Sequence, residues 1–225
     1  MLNNSILLLK FVTGSHAYNL QNSTSDKDFI CVYMQDFRER LYLHRKPKHV
    51  IEDNQDTTFI ELFDYFDHLE KGDINFVQTL YDLQNNLVTF NKDYFSDFNN
   101  LTTFFNTIKL LIEKENILYS LNGIGIRRLQ EAYERRSYKS LSEAYRNFYL
   151  YRKFFASDVL PVYLVGQVRQ KIVDIKCGLC DFDTIYNDLI FSLPKQKPQP
   201  RQHANKLRNF AQLLYMQSLD SPHTF

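Results

Sequence analysis

The sequence predicts an α+β fold, with strands gathered in the front third and a mostly α-helical region behind them. Three observations support this. Residues 6–13 and 29–34 are continuous apolar runs of strand length, the pattern of strands covered on both faces. From Leu62 onward, apolar residues recur at helical spacing in one segment after another. Gly and Pro number only six each, which suits long regular elements better than an all-β chain rich in tight turns.

The elements follow in order. Gly14-Ser15 ends the first strand, 15–20 reads as a short helix, and 22–26 has loop chemistry. The second strand covers 29–34. Residues 36–49, with Arg38, Arg40, Arg45, Lys46 and Lys48, read as an excursion. Val50-Ile51 and 57–62 are two short strands joined through Asp53-Asn54-Gln55. Leu62, Phe63, Phe66 and Leu69 mark a helix that stops at Gly72, and 74–83 reads as another. Residues 85–103 are polar and aromatic and read as irregular. Amphipathic helices follow near 104–120, 123–135, 140–156, 161–176 and 181–191. Ser140-Leu141-Ser142-Glu143 has the capping-box pattern for the third of these. Residues 194–200 (PKQKPQP) form a Pro-rich linker, and 201–219 a last helix. We divide the chain into a first domain over 1–95 and a helical domain over 96–225.

Composition narrows the class. At 44% hydrophobic the chain is globular. No apolar run is long enough to span a bilayer and the N-terminus lacks the shape of a signal peptide. We expect a soluble, cytoplasmic protein with no membrane partner. Three cysteines, an odd number, fit a reducing compartment. Charge is divided unevenly: residues 1–126 carry 11 basic and 17 acidic side chains, and 127–225 carry 16 and 9. An acidic half beside a basic half suits a protein that holds metal ions on one side and phosphates on the other, or simply reflects two solvated surfaces.

The chemistry lies in Gly14-Ser15-His16-Ala17-Tyr18-Asn19-Leu20, followed by Ser25-Asp26-Lys27-Asp28-Phe29. A strand ends in Gly-Ser, a short helix follows, and two aspartates one residue apart lead into the next strand. Gly14 lets backbone approach a phosphate with no Cβ in the way. Ser15 and the following amides offer donors to an anion. In a strand, Asp26 and Asp28 project to one side with Cα atoms roughly 7 Å apart. Such a pair suits Mg²⁺, which takes a few carboxylate oxygens together with phosphates and water. Two ions about 4 Å apart would clamp the attacking and leaving oxygens of phosphoryl transfer. His16 points either into this pocket or to solvent.

The stretch resembles the signature of the DNA polymerase β-like nucleotidyltransferases. More narrowly, it is similar to the bacterial and phage family of predicted nucleotidyltransferases, whose motif runs Gly-Ser-x-Ala-Tyr-Gly…Ser-Asp-x-Asp. Asp56 with Glu61, the helix to Lys71-Gly72, and Asn75 resemble that family's next block; Lys139 and Arg146 resemble a Lys and an Arg in its helical part. The resemblance implies a small mixed β-sheet nucleotidyltransferase core followed by a mostly α-helical region. It implies Mg²⁺ or Mn²⁺ as cofactor and a nucleoside triphosphate such as ATP as co-substrate. Asp26 and Asp28 would be catalytic metal ligands, with a third carboxylate on a neighbouring strand that contributes to metal binding or activates the attacking hydroxyl. Asp56 and Glu61 are an odd number of residues apart and cannot share a strand face; the family block favours Asp56. Nucleotide contacts would come from Gly14, Ser15, His16, Lys139 and Arg146. This chain departs from the pattern at Asn19, where the family has Gly, and at Asp73 and Gln78, where it has Asn and Glu.

The resulting expectation is transfer of a nucleoside monophosphate to an acceptor hydroxyl on RNA or tRNA, a protein or a small molecule, with release of pyrophosphate. The alternative is a catalytically silent nucleic-acid-binding module using the basic helical half. Residues 127–153 hold eight basic side chains against three acidic. Arg127, Arg128, Arg135 and Arg136 would track phosphates, and Tyr133, Tyr138, Tyr145, Tyr149 and Tyr151 would stack bases. Equally, the segment reads as an amphipathic bundle with basic outer faces. Cys177-Gly178-Leu179-Cys180 is a single CxxC without a second pair, weak for zinc or redox work. Cys31 reads as a buried strand residue.

Overall fold

The computed structural model describes residues 5–22, 25–35, 48–52, 55–193, 199–200 and 206–220. Most of the basic excursion at 36–49, the Asp53-Asn54 joint and most of the Pro-rich linker lie outside the described residues.

The fold is α+β. Five strands form one mixed sheet: β1 (Ser5–Thr13), β2 (Lys27–Gln35), β3 (Lys48–Glu52), β4 (Gln55–Glu61) and β5 (Leu87–Phe90), in the order β3-β4-β2-β1-β5. Only β2 and β4 run parallel. β2 occupies the centre, and Phe29 to Gln35 are buried without a break, as its continuous apolar run predicts. Cys31 is buried within it.

The helices are α1 (Gly14–Ala17), α2 (Leu62–Glu70), α3 (Ile74–Tyr81), α4 (Leu83–Asn86), α5 (Phe98–Leu111), α6 (Lys114–Arg135), α7 (Tyr138–Ser157), α8 (Gly166–Lys176), α9 (Phe182–Phe191) and α10 (Lys206–Asp220). A main core joins strand residues Leu9, Phe11, Val32 and Ile60 to Phe66, Phe105, Leu121 and Phe154 of the helices and reaches Tyr215 of α10. A second core holds the far ends of α6 and α7 against α8 and α9, around Leu129, Leu141, Phe148 and Ile185.

Three expectations need correction. Residues 85–103 are not irregular: β5 pairs with the edge of β1, and α5 begins at Phe98 under an Asp97 cap whose side chain accepts from Asn100 N at 2.8 Å. The expected break near 121–122 is absent. α6 runs through Gly123 and Gly125; a Cβ at 125 would press on the Phe148 ring, so glycine there lets α7 approach. The capping box is displaced: Ser137 is the N-cap of α7 and accepts from Ser140 N at 3.2 Å, leaving Ser140 inside the helix.

Candidate active site

The site begins with register. Asp28 lies opposite Thr13 of β1 on one side and beside Asp56 of β4 on the other. In adjacent parallel strands, paired residues face the same way, so Asp28 and Asp56 share a face at one end of the sheet. Asp26 precedes β2 and is exposed, while Asp28 is half-buried. The mutual closeness registers chemically. Asp28 is held above the usual carboxylate range by burial first, then by the charges of Asp56 and Asp26; His16 and Lys139 pull it back.

Gly14 makes this approach possible. Its φ is +63°, and a Cβ built there would fall on the Asp28 carboxylate. The glycine therefore accommodates a neighbouring carboxylate, which is a different reason from the approach to phosphate that the sequence suggests. Asn19 also has positive φ, at 57°. Asn is among the few side chains that tolerate this region, which accounts physically for Asn at a position where the resembled family has Gly. The Asn19 side chain donates to Leu164 O at 2.9 Å, and Arg169 Nε donates to Asn19 O at 2.7 Å. Leu164 N donates to Tyr18 O, and Lys176 Nζ to Leu20 O. The signature loop is thereby strapped to α8 and the segment before it.

Across from the carboxylates stands α7. Lys139, Ser142, Glu143 and Arg146 recur at helical spacing and line one wall of a cleft of about 470 Å³. Gly14, Ser15, Asp26 and Asp28 line the opposite side, and Asn75 and Gln78 of α3 contribute as well. Lys139 is exposed and makes no ion pair among the described residues. The Arg146 guanidinium lies 4.2 Å from the centre of the Tyr18 ring. Arg128 reaches the cleft but is held by Glu131 at 2.6 Å and Glu143 at 2.8 Å.

Of the sequence-derived residues, Gly14, Ser15, Asp26, Asp28, Lys139 and Arg146 line this one cleft. Asp56 stands behind Asp28 in the sheet. His16 is not among the lining residues; its Nε2 approaches Ser25 O at 3.5 Å, the outer limit of a hydrogen bond. Glu61 points elsewhere. It is buried, caps α2 by accepting from Phe63 N at 2.9 Å, and accepts from the Tyr215 hydroxyl. Sequence reasoning missed Ser142 and Glu143, although they complete the helical stripe that Lys139 and Arg146 define.

The donor set fits a hard divalent cation in its chemistry, since Asp28 and Asp56 share one face of the sheet and Asp26 lies close enough to act on Asp28. Among the described residues, no three His, Cys, Asp or Glu side chains close on a common point. Mg²⁺ does not require such a cage, because it draws much of its shell from phosphates and water. Part of the remaining basic stretch is engaged. Arg135 approaches Glu131 at 3.5 Å, and Arg136 makes a two-pronged pair with Asp183 while covering the Phe182 ring. Tyr133 stacks on Tyr186, Tyr138 meets Phe182 edge-on, and Tyr151 stacks on Phe155. Cys177 and Cys180 are free thiols. No helix of the described residues is long and apolar enough to cross a membrane.

No family model matches the chain, and no curated protein does. Among solved structures, a nucleotidyltransferase-like protein from Exiguobacterium sibiricum is similar at 11% identity, over 95% of this chain and 83% of that chain, with a TM-score of 0.28. The functional reading accordingly stands on the geometry of the cleft.

Proposed function

We propose that the protein is a divalent-metal-dependent nucleotidyltransferase that moves a nucleoside monophosphate from a nucleoside triphosphate to an acceptor hydroxyl and releases pyrophosphate. One observation carries the reading: Asp28, crowded by Asp26 and Asp56, faces Lys139 and Arg146 across a single cleft. Crowded carboxylates repel one another and hold protons more tightly, an arrangement that a cation relieves. The two basic side chains opposite suit a polyanion.

Asp26 and Asp28 would hold Mg²⁺ or Mn²⁺, with Asp56 beside Asp28 as the third carboxylate of the metal site. The bound cation would neutralise charge developing on the phosphoryl oxygens. Lys139 presents a mobile ammonium and Arg146 a planar guanidinium fixed against Tyr18, so the first adapts to the triphosphate and the second orients it. Ser15 offers a hydroxyl on the carboxylate side. The ion pairs on Arg128, Arg135 and Arg136 favour this compact ligand over a polynucleotide tracked along the whole basic stretch.

The test is incubation of the pure protein with each labelled triphosphate, Mg²⁺, and total cellular RNA or protein. Label should pass to an acceptor as pyrophosphate appears, and Asp28→Asn should abolish both. Metal-independent transfer, or transfer unchanged in Asp28→Asn, would overturn the proposal.

A further inference from the structure

The cleft contains a hydrogen-bonding group that the nucleotidyltransferase chemistry above does not use. Gln78 is 2% exposed and lines the cleft from α3. Its Nε2 donates to Asn75 O at 2.8 Å, yet its Oε1 is buried and accepts no hydrogen bond among the described residues. The bond to Asn75 assigns the amide: turned over, it would set two carbonyl oxygens against each other at that distance. Oε1 is thus the atom in need of a partner. A buried acceptor left alone costs about 1–3 kcal/mol, so such groups are uncommon and ask for an explanation. A donor is in the same condition nearby in the lining, for Arg146 Nε is also buried without a hydrogen-bond partner.

These two orphan atoms have opposite needs. Arg146 Nε suits a phosphate oxygen. Gln78 Oε1 cannot serve an ionised phosphate, which has acceptors only; it needs an O–H or N–H. We propose that Gln78 is a specificity-determining residue that accepts a hydrogen bond from the nucleoside portion of the triphosphate, from either a sugar hydroxyl or a base N–H. The inference rests on the nucleotidyltransferase reading and deepens it. The acceptor oxygen admits nucleotides that present a donor at this point and penalises those that leave it bare, since the desolvated oxygen then remains unpaired.

Calorimetric binding with Ca²⁺ in place of Mg²⁺, chosen to hold off chemistry, tests this on the full chain. Ligands are the four ribonucleoside triphosphates, 2′-deoxy- and 3′-deoxy-ATP, inosine triphosphate and inorganic tripolyphosphate. Gln78→Leu removes both amide groups, whereas Gln78→Glu removes the donor to Asn75 and keeps an acceptor oxygen, so their difference reports the acceptor and not the helix. We expect Gln78→Leu to weaken the preferred nucleotide roughly tenfold or more and to leave tripolyphosphate unchanged within about twofold. Gln78→Glu should keep the preference of nucleotide over tripolyphosphate. The analogue lacking the donor should bind wild type as weakly as the parent binds Gln78→Leu, and lose nothing further in that variant. A deoxy analogue in that role assigns a sugar hydroxyl; inosine triphosphate or a change in base preference assigns the base. Equal nucleotide binding by wild type and Gln78→Leu would overturn the inference while leaving the nucleotidyltransferase reading intact. Failure of wild type to bind any nucleotide or tripolyphosphate would overturn both.

Discussion

Strand β4 carries a carboxylate near each end, and the two have opposite environments. Asp56 begins the strand beside Asp28, where acidic groups gather at an open cleft. Glu61 ends it, buried, with the Phe63 amide and the Tyr215 hydroxyl both donating to its side chain. At one end carboxylates crowd one another, and the charges of Asp56 and Asp26 raise the pKa of Asp28. At the other, donors converge on the carboxylate and tie α10 to the sheet. Four residues of strand separate the two, and the odd interval of five positions sends them to opposite faces. Burial and donor count, rather than residue type, divide the roles.

The largest expected effect breaks the first end. Asp26→Asn, Asp28→Asn and Asp56→Asn should each lower turnover by about a hundredfold or more, the scale set by losing one group that stabilises developing charge. Steady-state pyrophosphate release checks this, and wild-type rates in Asp56→Asn would remove it from the site. Breaking the second end should act on stability. Glu61→Ala takes the acceptor from the Tyr215 O–H and uncaps α2, and should cost about 1–3 kcal/mol in denaturant unfolding. Turnover per folded molecule should stay near wild type; a loss as severe as that of Asp28→Asn would abolish the contrast drawn between the two ends of β4.

The facing wall sharpens the comparison. Lys139→Ala and Arg146→Ala should raise the KM for triphosphate roughly tenfold or more, the loss expected for a hydrogen bond to a charged group. Arg128→Ala, whose guanidinium is already shared between two glutamates, should change it far less. Equal effects from all three would return the wall to a generic basic surface.

The smallest effect concerns pH. The folded-state pKa of Asp28 lies above its ordinary value, so the folded protein binds that proton more tightly than the unfolded chain. Its ionisation therefore weakens the fold as pH rises from the ordinary carboxylate range through the raised value. Asp28→Asn should raise the melting temperature near neutrality, by no more than about 2–4 °C after solvent screening. The gain should vanish in acid, below the ordinary carboxylate pKa. Thermal melts across pH decide it, and a variant less stable than wild type at neutral pH would show that Asp28 is held by donors rather than crowded by charge.

Much of the carboxylate wall was legible because its information is local. Gly14, Ser15, Asp26 and Asp28 sit within one strand-turn-strand segment, and the odd interval from Asp56 to Glu61 is a property of the chain that holds in any strand. The apolar run of 29–34 foretold a central strand, and Leu62 to Gly72 a helix, for the same reason. β5 was not legible: Leu87–Phe90 is four residues long and half-exposed, and only pairing with β1 makes it a strand. Nor was the long α6, since glycine near its middle reads as a break until Phe148 is seen against it. The helical stripe of Lys139, Ser142, Glu143 and Arg146 was present in the sequence, but which face of α7 met the cleft depended on α6 and α8 packing around it. The same holds for the basic residues as a class. Sequence alone determined how many there are, and tertiary structure decided that Arg128, Arg135 and Arg136 meet carboxylates while Lys139 and Arg146 face Asp28, because charge pairing depends on distances that only packing brings about.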